Sequence, residues 1–252
     1  MKIKRLILLL AVVIFALAFY SCSENESTAP SDTTLKMSDY FPASIGSWWI
    51  YMNYELDSLG NRISEGVKDS TYNAAIVMIN GKDAIMQISV TVYEDDTDYD
   101  TTYFNVDGSK LYAYEDVMFE EGVKAWTLYV DLAADEWQIM FYEEHTDTTM
   151  INPMTGDTIS IKQDIVLDFT GMKDIDKDYS IKGQTISAKG IKWQISMEYY
   201  SKIGDEIESG SDESFIYMWV AKGIGMVHNI AEPVMGESEG NERELIDYYI
   251  SQ

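Results

Sequence analysis

Ile191-Lys-Trp193-Gln-Ile195-Ser-Met197-Glu-Tyr199 sets an apolar side chain at every second position against Lys192, Gln194, Ser196 and Glu198. A period of two sends alternate side chains to opposite faces of an extended chain, so this stretch reads as a strand with one buried face. The period recurs on either side of it. Ala84, Met86, Ile88, Val90 and Val92 alternate with Gln87, Ser89 and Thr91, following Asn80-Gly81, the strongest short hairpin signal. Trp48, Ile50, Met52, Tyr54 and Leu56 share a face ahead of the turn residues Asp57-Ser-Leu-Gly60-Asn61. Shorter, aromatic-rich runs follow at 99–106, 110–114, 125–130 and 137–142. Beyond a loop at 152–157, Ile159, Ile161, Ile165, Leu167 and Phe169 alternate again, and runs at 215–220 and 245–250 close the series. Residues 130–137, with Ala133 and Ala134, are the one helix candidate. Many short strands without βαβ spacing predict a mainly β protein, a single antiparallel meander from 40 to 252 curled into an open or half barrel. A β-sandwich is the alternative.

Composition sets the limits on function. The 252 residues carry 18 Lys+Arg against 43 Asp+Glu, a formal net charge of -25, which is electrostatically hostile to a phosphate backbone and excludes a nucleic-acid partner. With 6 Trp, 18 Tyr and 8 Phe the chain has the apolar surface of a folded domain, so the acidity belongs to a folded surface.

The N-terminus speaks to compartment. Lys2, Lys4 and Arg5 precede an unbroken apolar run over 6–20 that ends at Ser21-Cys22. The run is shorter than the roughly 20 residues of a membrane span and suits the core of an export signal over 1–21. Cys22 has no second cysteine to pair with, since the chain contains 1 Cys. Its position resembles the lipobox of bacterial lipoproteins, in which the thiol takes a diacylglycerol. Phe19 and Tyr20 depart from the usual Leu and small residue there, whereas Ser21 fits. Two or more acyl chains suffice for stable anchoring. Residues 22–39, rich in Ser, Thr and acids, read as a tether; their opening Ser-Glu-Asn-Glu is similar to the acidic stretch of surface-exported lipoproteins of Bacteroidetes.

Tyr40-Phe41-Pro42, Gly46, Trp48 and Tyr51 resemble the opening of a family of exported bacterial lipoproteins of unknown function. Gly223, Gly225 and Val227 resemble that family's closing strand, and Glu244-Leu-Ile-Asp-Tyr-Tyr249 its last. The resemblance implies a fold near the open barrels of lipoprotein carriers, in which a curved sheet shelters an apolar ligand. Physical roles are also available to these residues: Phe41 and Trp48 as plugs at the sheet's first corner, Gly223 and Gly225 at a bulge or close approach.

Catalytic chemistry finds little purchase. His145 and His228 lie in no recognised spacing with a nucleophile, and nucleophile-elbow, zinc-protease, Walker and dinucleotide motifs are absent from the sequence. The acidic run 94–100 reads as a solvated hairpin tip or a cation site. Asp174, Asp176 and Asp178 have the spacing of a calcium loop, but Tyr179 replaces its glycine and Thr185 its bidentate glutamate. Glu143/Glu144 and Asp135/Glu136 are the carboxylate pairs that a glycoside hydrolase would need. Trp48, Trp137 and Trp193 are expected to point inward. The expectation is a lipid-anchored, non-catalytic binding module of the outer membrane or cell surface without cofactor or metal. Its partners are the membrane through Cys22, an apolar or lipid ligand, and an envelope protein. A pocketless scaffold or adhesin is the alternative, with a glycoside hydrolase third.

Overall fold

The computed structural model describes residues 35–93, 96–117, 122–151, 156–233 and 239–252; Cys22, Glu94, Asp95 and most of the 152–157 loop lie outside them. Twelve strands follow in order: β1 (Trp48–Leu56), β2 (Val67–Ile79), β3 (Lys82–Val92), β4 (Thr97–Asp107), β5 (Lys110–Asp116), β6 (Lys124–Asp131), β7 (Glu136–Ile151), β8 (Thr158–Ile181), β9 (Gln184–Ile203), β10 (Glu206–Ala221), β11 (Gly225–Ala231) and β12 (Gly240–Tyr249). They form one antiparallel sheet in the order β6-β5-β4-β3-β2-β1-β12-β11-β10-β9-β8-β7. The two meanders join where β1 pairs with β12, Trp48 opposite Tyr249 and Leu56 opposite Gly240. A single curled sheet, nearly closed with one unsealed seam, decides for the barrel over the sandwich. Asn80 and Gly81 both have positive φ, 49° and 78°, as the two-residue hairpin turn between β2 and β3 requires.

The seam lies between β6 and β7, and side chains bridge it near the plug where a ladder is missing. Tyr129 sits at the irregularity in the β5–β6 register, where Val130 pairs with Leu111 and Leu128 with Tyr112. Its carbonyl accepts the indole N–H groups of Trp137 at 3.0 Å and Trp193 at 3.1 Å. Gly171 makes room for this seal, because a Cβ there would fall 2.2 Å from the Trp137 ring. The turn over 132–135 replaces the expected helix: Asp131 accepts from the backbone N–H of Ala133 at 3.0 Å and from the Ser109 hydroxyl at 2.6 Å, and this local capping competes with a helical start.

Turns of a meander alternate between two ends. One end, carrying Gly108 and Gly223, is plugged by the segment entering β1. That segment was expected to be tether up to 39, but Met37–Asp39 form a 3-10 turn and Met37 is completely buried. Met37 N–H donates to Gly108 O at 2.8 Å, and Gly223 N–H to Asp39 O at 2.6 Å. Met37 and Tyr40 join Leu111, Val130, Leu132, Trp137, Ile191, Met218 and Val220 in one core cluster. A second cluster, with Trp49, Ile181, Trp219, Ile224 and Val227, lies where the β8–β9 hairpin packs over β10 to β12. Trp219 donates to Ile175 O at 3.1 Å in the β8 irregularity between Asp174 and Lys177.

At the other end β7 to β10 run on past their neighbours. The β10–β11 ladder begins at Ile216, with Glu232 just beyond it bonded to Phe215 O and the Ser214 hydroxyl, so 206–213 pair with β9 alone. The projecting arm is amphipathic: Thr148, Ile161 and Ile203 stand across from one another on one face, and Asp147, Lys162, Lys202 and Ile207 on the other.

Candidate functional site

A cavity of about 260 Å³ remains inside the barrel, above the plug. Its apolar wall includes Met37, Phe41, Phe104, Leu111, Met218 and Val220, with Trp49 and Trp193 beside them. A polar stripe crosses this lining. Asp69, Thr71 and Asn73 occupy alternate positions of β2 and are 5%, 3% and 1% exposed, so their shared face is the inner one. Arg243, from β12, donates through Nη2 to Asp69 Oδ2 and to Thr71 Oγ1, the latter at 2.8 Å. Thr71 and Ser89 hydroxyls share a bond of 3.0 Å, and Gln87 donates to Asn73 Oδ1 at 3.1 Å. Asn73 in turn donates to Pro42 O at 2.8 Å, tying the stripe to the plug.

Two atoms of this stripe are left over. Asp69 Oδ1 and Arg243 Nε are buried and have no hydrogen-bond partner among the described residues. An acceptor and a donor stranded on one buried ion pair carry a desolvation cost that a polar group reaching both would relieve. The Arg243 guanidinium also lies 4.0 Å from the centre of the Tyr51 ring. Burial pushes the Tyr51 hydroxyl up to about 12, with Arg243 opposing and Asp69 adding to the shift; its proton goes to Met226 O at 3.1 Å.

The residues of the opening and closing stretches meet here. Phe41, Pro42, Tyr51 and Gly225 all line the cavity. Gly225 has φ of 104°, and a Cβ on it would touch the Trp49 indole at 3.5 Å and Pro42 at 3.6 Å. Trp49 donates to Ile224 O at 2.5 Å. Tyr40 and Val227 are buried in the two core clusters, and Gly46, with φ of 85°, turns its N–H onto Asn73 O at 2.9 Å. Gly223 turns the chain between β10 and β11. Trp48 needs correction: Trp49 and Tyr51, with Leu56 at the far end, are the buried side chains of β1, and Trp48 stacks on Tyr249 with centroids 6.3 Å apart. A register shift against β12 falls between Ile50 and Tyr51. Trp137 and Trp193 do belong to the inner cluster.

The other candidates are dispersed. Glu143 and Glu144 are consecutive in β7 and therefore face opposite sides. Asp135 is bound by Lys173 at 2.8 Å, and Asp176 by Lys189 at 2.5 Å within strand β8 instead of a calcium loop. His145, exposed, bridges Asp164 and Glu143; His228 bridges Glu242 and Tyr179. No cluster of three or more metal-ligating residues occurs among the described residues. A recess of about 870 Å³ opens on the outer face between Leu59 and Ile175, floored by Tyr217 and Trp219. Trp219 is 2% exposed and lies under the Lys177 ammonium at 3.9 Å, so it offers no bare ring for a sugar to stack on.

Sequence reasoning missed Asp69, Thr71, Asn73, Gln87 and Arg243. The available signal was the alternation of polar residues Asp69, Thr71 and Asn73, three successive polar side chains on one face of a strand.

Fold and cavity together define a class: single-sheet β-barrels, open along one seam, plugged at one end, with the arginine of a buried ion pair in the cavity wall. No family model and no curated protein matches the sequence. Two solved structures are similar in fold. A candidate lipoprotein from Parabacteroides distasonis superposes with a TM-score of 0.46 at 10% identity, over 83% of this chain and 98% of the other. A candidate exported protein with a YmcC-like fold from Bacteroides fragilis gives 0.42 at 10% identity, over the same 83% and 98%.

Proposed function

We propose that this chain is an exported envelope protein, anchored through lipid on Cys22, whose barrel holds a small amphipathic molecule without transforming it. The observation that carries the reading is the cavity beside Asp69 and Arg243: apolar walls, and a buried ion pair with one acceptor and one donor unused. About 260 Å³ lies just under the roughly 300–1,000 Å³ of ligand pockets, which suits one short chain or a ring system. The hydroxyls of the lining are engaged within the protein, Tyr51 with Met226 O, Thr71 with Arg243 and Ser89, and Tyr129 with Glu115, which supports binding over turnover. The charged N-terminus, the 6–20 apolar run and Ser21-Cys22 support export and anchoring.

The test is native mass spectrometry of protein purified from its host, before and after organic extraction, followed by titration with decanoic acid and decanol using tryptophan fluorescence. A small mass lost on extraction, or saturable quenching that Val220→Phe abolishes by filling the cavity, is the expected result. Protein that emerges without added mass and is quenched by neither compound overturns the reading.

A further inference from the structure

Backbone carbonyls fix the orientation of the amide side chains around the inner cavity. Asn73 Nδ2 donates to Pro42 O at 2.8 Å and to Ser44 O at 3.3 Å, so its Oδ1 turns the other way and accepts from Gln87 Nε2 at 3.1 Å. Asn229, the cross-strand partner of Arg243, donates through Nδ2 to Tyr217 O at 3.1 Å. A carbonyl oxygen only accepts, so turning over any of these amides would set oxygen against oxygen. Gln87 and Asn229 line the cavity, and their fixed orientation leaves Gln87 Oε1 and Asn229 Oδ1 without a hydrogen bond among the described residues. Arg243 lines the same cavity; its Nη2 serves Asp69 and Thr71, whereas its Nε–H has no partner. The wall thus holds two neutral acceptors and a donor that the fold does not use, and the charge of that donor is already cancelled by Asp69.

Resting on the binding reading proposed above, we infer that the cavity selects a neutral head group that donates and accepts at once, an alcohol or primary amide on a short apolar chain, and rejects carboxylates and amines. A carboxylate only accepts. Beside Gln87 and Asn229 it would place oxygen against oxygen, and it would add a negative charge to a pair that is already balanced. An ammonium group only donates, finds no use for Arg243, and adds the opposite excess. A buried charge without compensation costs far more than a buried hydroxyl or amide whose hydrogen bonds are made. Alcohols and primary amides carry donor and acceptor in one uncharged group: the donor suits Gln87 Oε1 or Asn229 Oδ1, the acceptor suits Arg243. One small group can meet Asn229 and Arg243 together, because directly opposed residues on paired strands start their side chains about 5 Å apart. Phe41, Phe104, Leu111 and Met218 are left to cover the chain.

The experiment titrates the whole protein, purified in detergent, with hexanol, hexanamide, hexanoate, hexylammonium and 1-methoxyhexane. At pH 7 the acid is ionised and the amine protonated. Tryptophan fluorescence reports binding, since Trp49 and Trp193 line the cavity. Short chains keep partition into the detergent weak, because transfer from water grows with every CH₂. The expected result is saturable quenching by hexanol and hexanamide at concentrations about tenfold below those needed for the other three, absent in Val220→Phe. 1-Methoxyhexane accepts without donating and isolates the share of the two amide oxygens. Gln87→Met keeps the length of the side chain and removes its oxygen, and narrows the gap between hexanol and 1-methoxyhexane. Equal affinity for all the probes, or tightest binding of hexanoate or hexylammonium, overturns the inference and leaves the binding reading standing. Quenching by none of them, with decanol inert as well, removes the reading and the inference together. The probe comparison uses the unaltered protein, so the outcome does not depend on a variant folding.

Discussion

Strands β8, β9 and β10 belong to two environments along their own length. Near the plug, Ile191 and Met218 are 1% and 9% exposed; in the arm, on the same two strands, Ile203 and Ile207 are 45% and 61% exposed. The ladder of hydrogen bonds continues across the boundary. Pairing therefore does not depend on a core, whereas stability does, since a backbone bond exchanged with water contributes little and buried apolar area contributes most. The barrel is the part that folds, and the arm is carried by it. Substitutions of equal size should then have very unequal costs in the two regions.

The largest cost is expected at the seam. Trp137→Ala removes a side chain 7% exposed and one of the two indole N–H groups that close on Tyr129 O, and should lower stability by about 3–5 kcal/mol in a urea melt. Trp137→Phe separates the two contributions: it keeps most of the area and loses the hydrogen bond, for about 1 kcal/mol. Equal losses from the two variants would show that the seam is held by the bond and not by packing. Next comes the interior pair. Arg243→Met strands the Asp69 carboxylate, whose side chain is 7% exposed, at a cost of about 3 kcal/mol. Adding Asp69→Asn should recover most of that loss, and a double-mutant cycle in urea measures how much. A double variant as unstable as the single one would mean that the pair sets the barrel's shape and is not simply a charge that needs a partner.

Why the arm and the stripe escaped the sequence follows from the same contrast. Alternation is legible where one face is apolar, which is why 191–199 reads so cleanly and why a meander could be inferred. It has no phase when both faces are apolar. Trp48 and Trp49 are neighbours, and the register shift at Ile50/Tyr51 resolves which one turns inward. The signal also fades where neither face is buried. The run at 137–142 is the legible part of a strand extending to Ile151, because Glu143, Glu144, Thr146, Asp147, Thr148 and Thr149 present no periodic burial. Asp69 and Asn73 look solvated in sequence, and only the pairing of β2 with β1 and β3 carries them inside. Pro42 and Gly225 were legible as a pair of motifs through resemblance. Their contact arises from the β1–β12 closure and the plug, which alternation cannot encode.

A smaller effect is expected on the outer face, where Arg62 holds the Glu242 carboxyl below the usual carboxylate range despite burial, with His228 assisting. A folded-state value below the unfolded one contributes stability above the unfolded pKa, near 4.3, and loses it as pH falls through the lowered value. Arg62→Gln should therefore reduce stability at pH 7 and flatten its decline towards acid. Because Arg62 is 40% exposed, solvent screening limits the change to about 1 kcal/mol. Urea midpoints of the two proteins at a series of pH values measure it, and parallel curves would remove Arg62 as the cause.

The smallest effect, and the sharpest separation of the two regions, belongs to the arm. Ile203→Thr and Ile207→Thr replace side chains already 45% and 61% exposed, on opposite faces of the sheet. Each should shift global stability by no more than about 0.5 kcal/mol, since little buried area is lost and β-branching is retained. Exchange of the arm's amides, by contrast, should report opening of the arm alone, at rates independent of the urea midpoint. If either variant lowers the midpoint as far as Trp137→Phe does, the arm is part of the cooperative unit and its length serves folding. If both leave the midpoint in place, the extra strand length has no role in holding the barrel together, and the arm opens as a unit of its own.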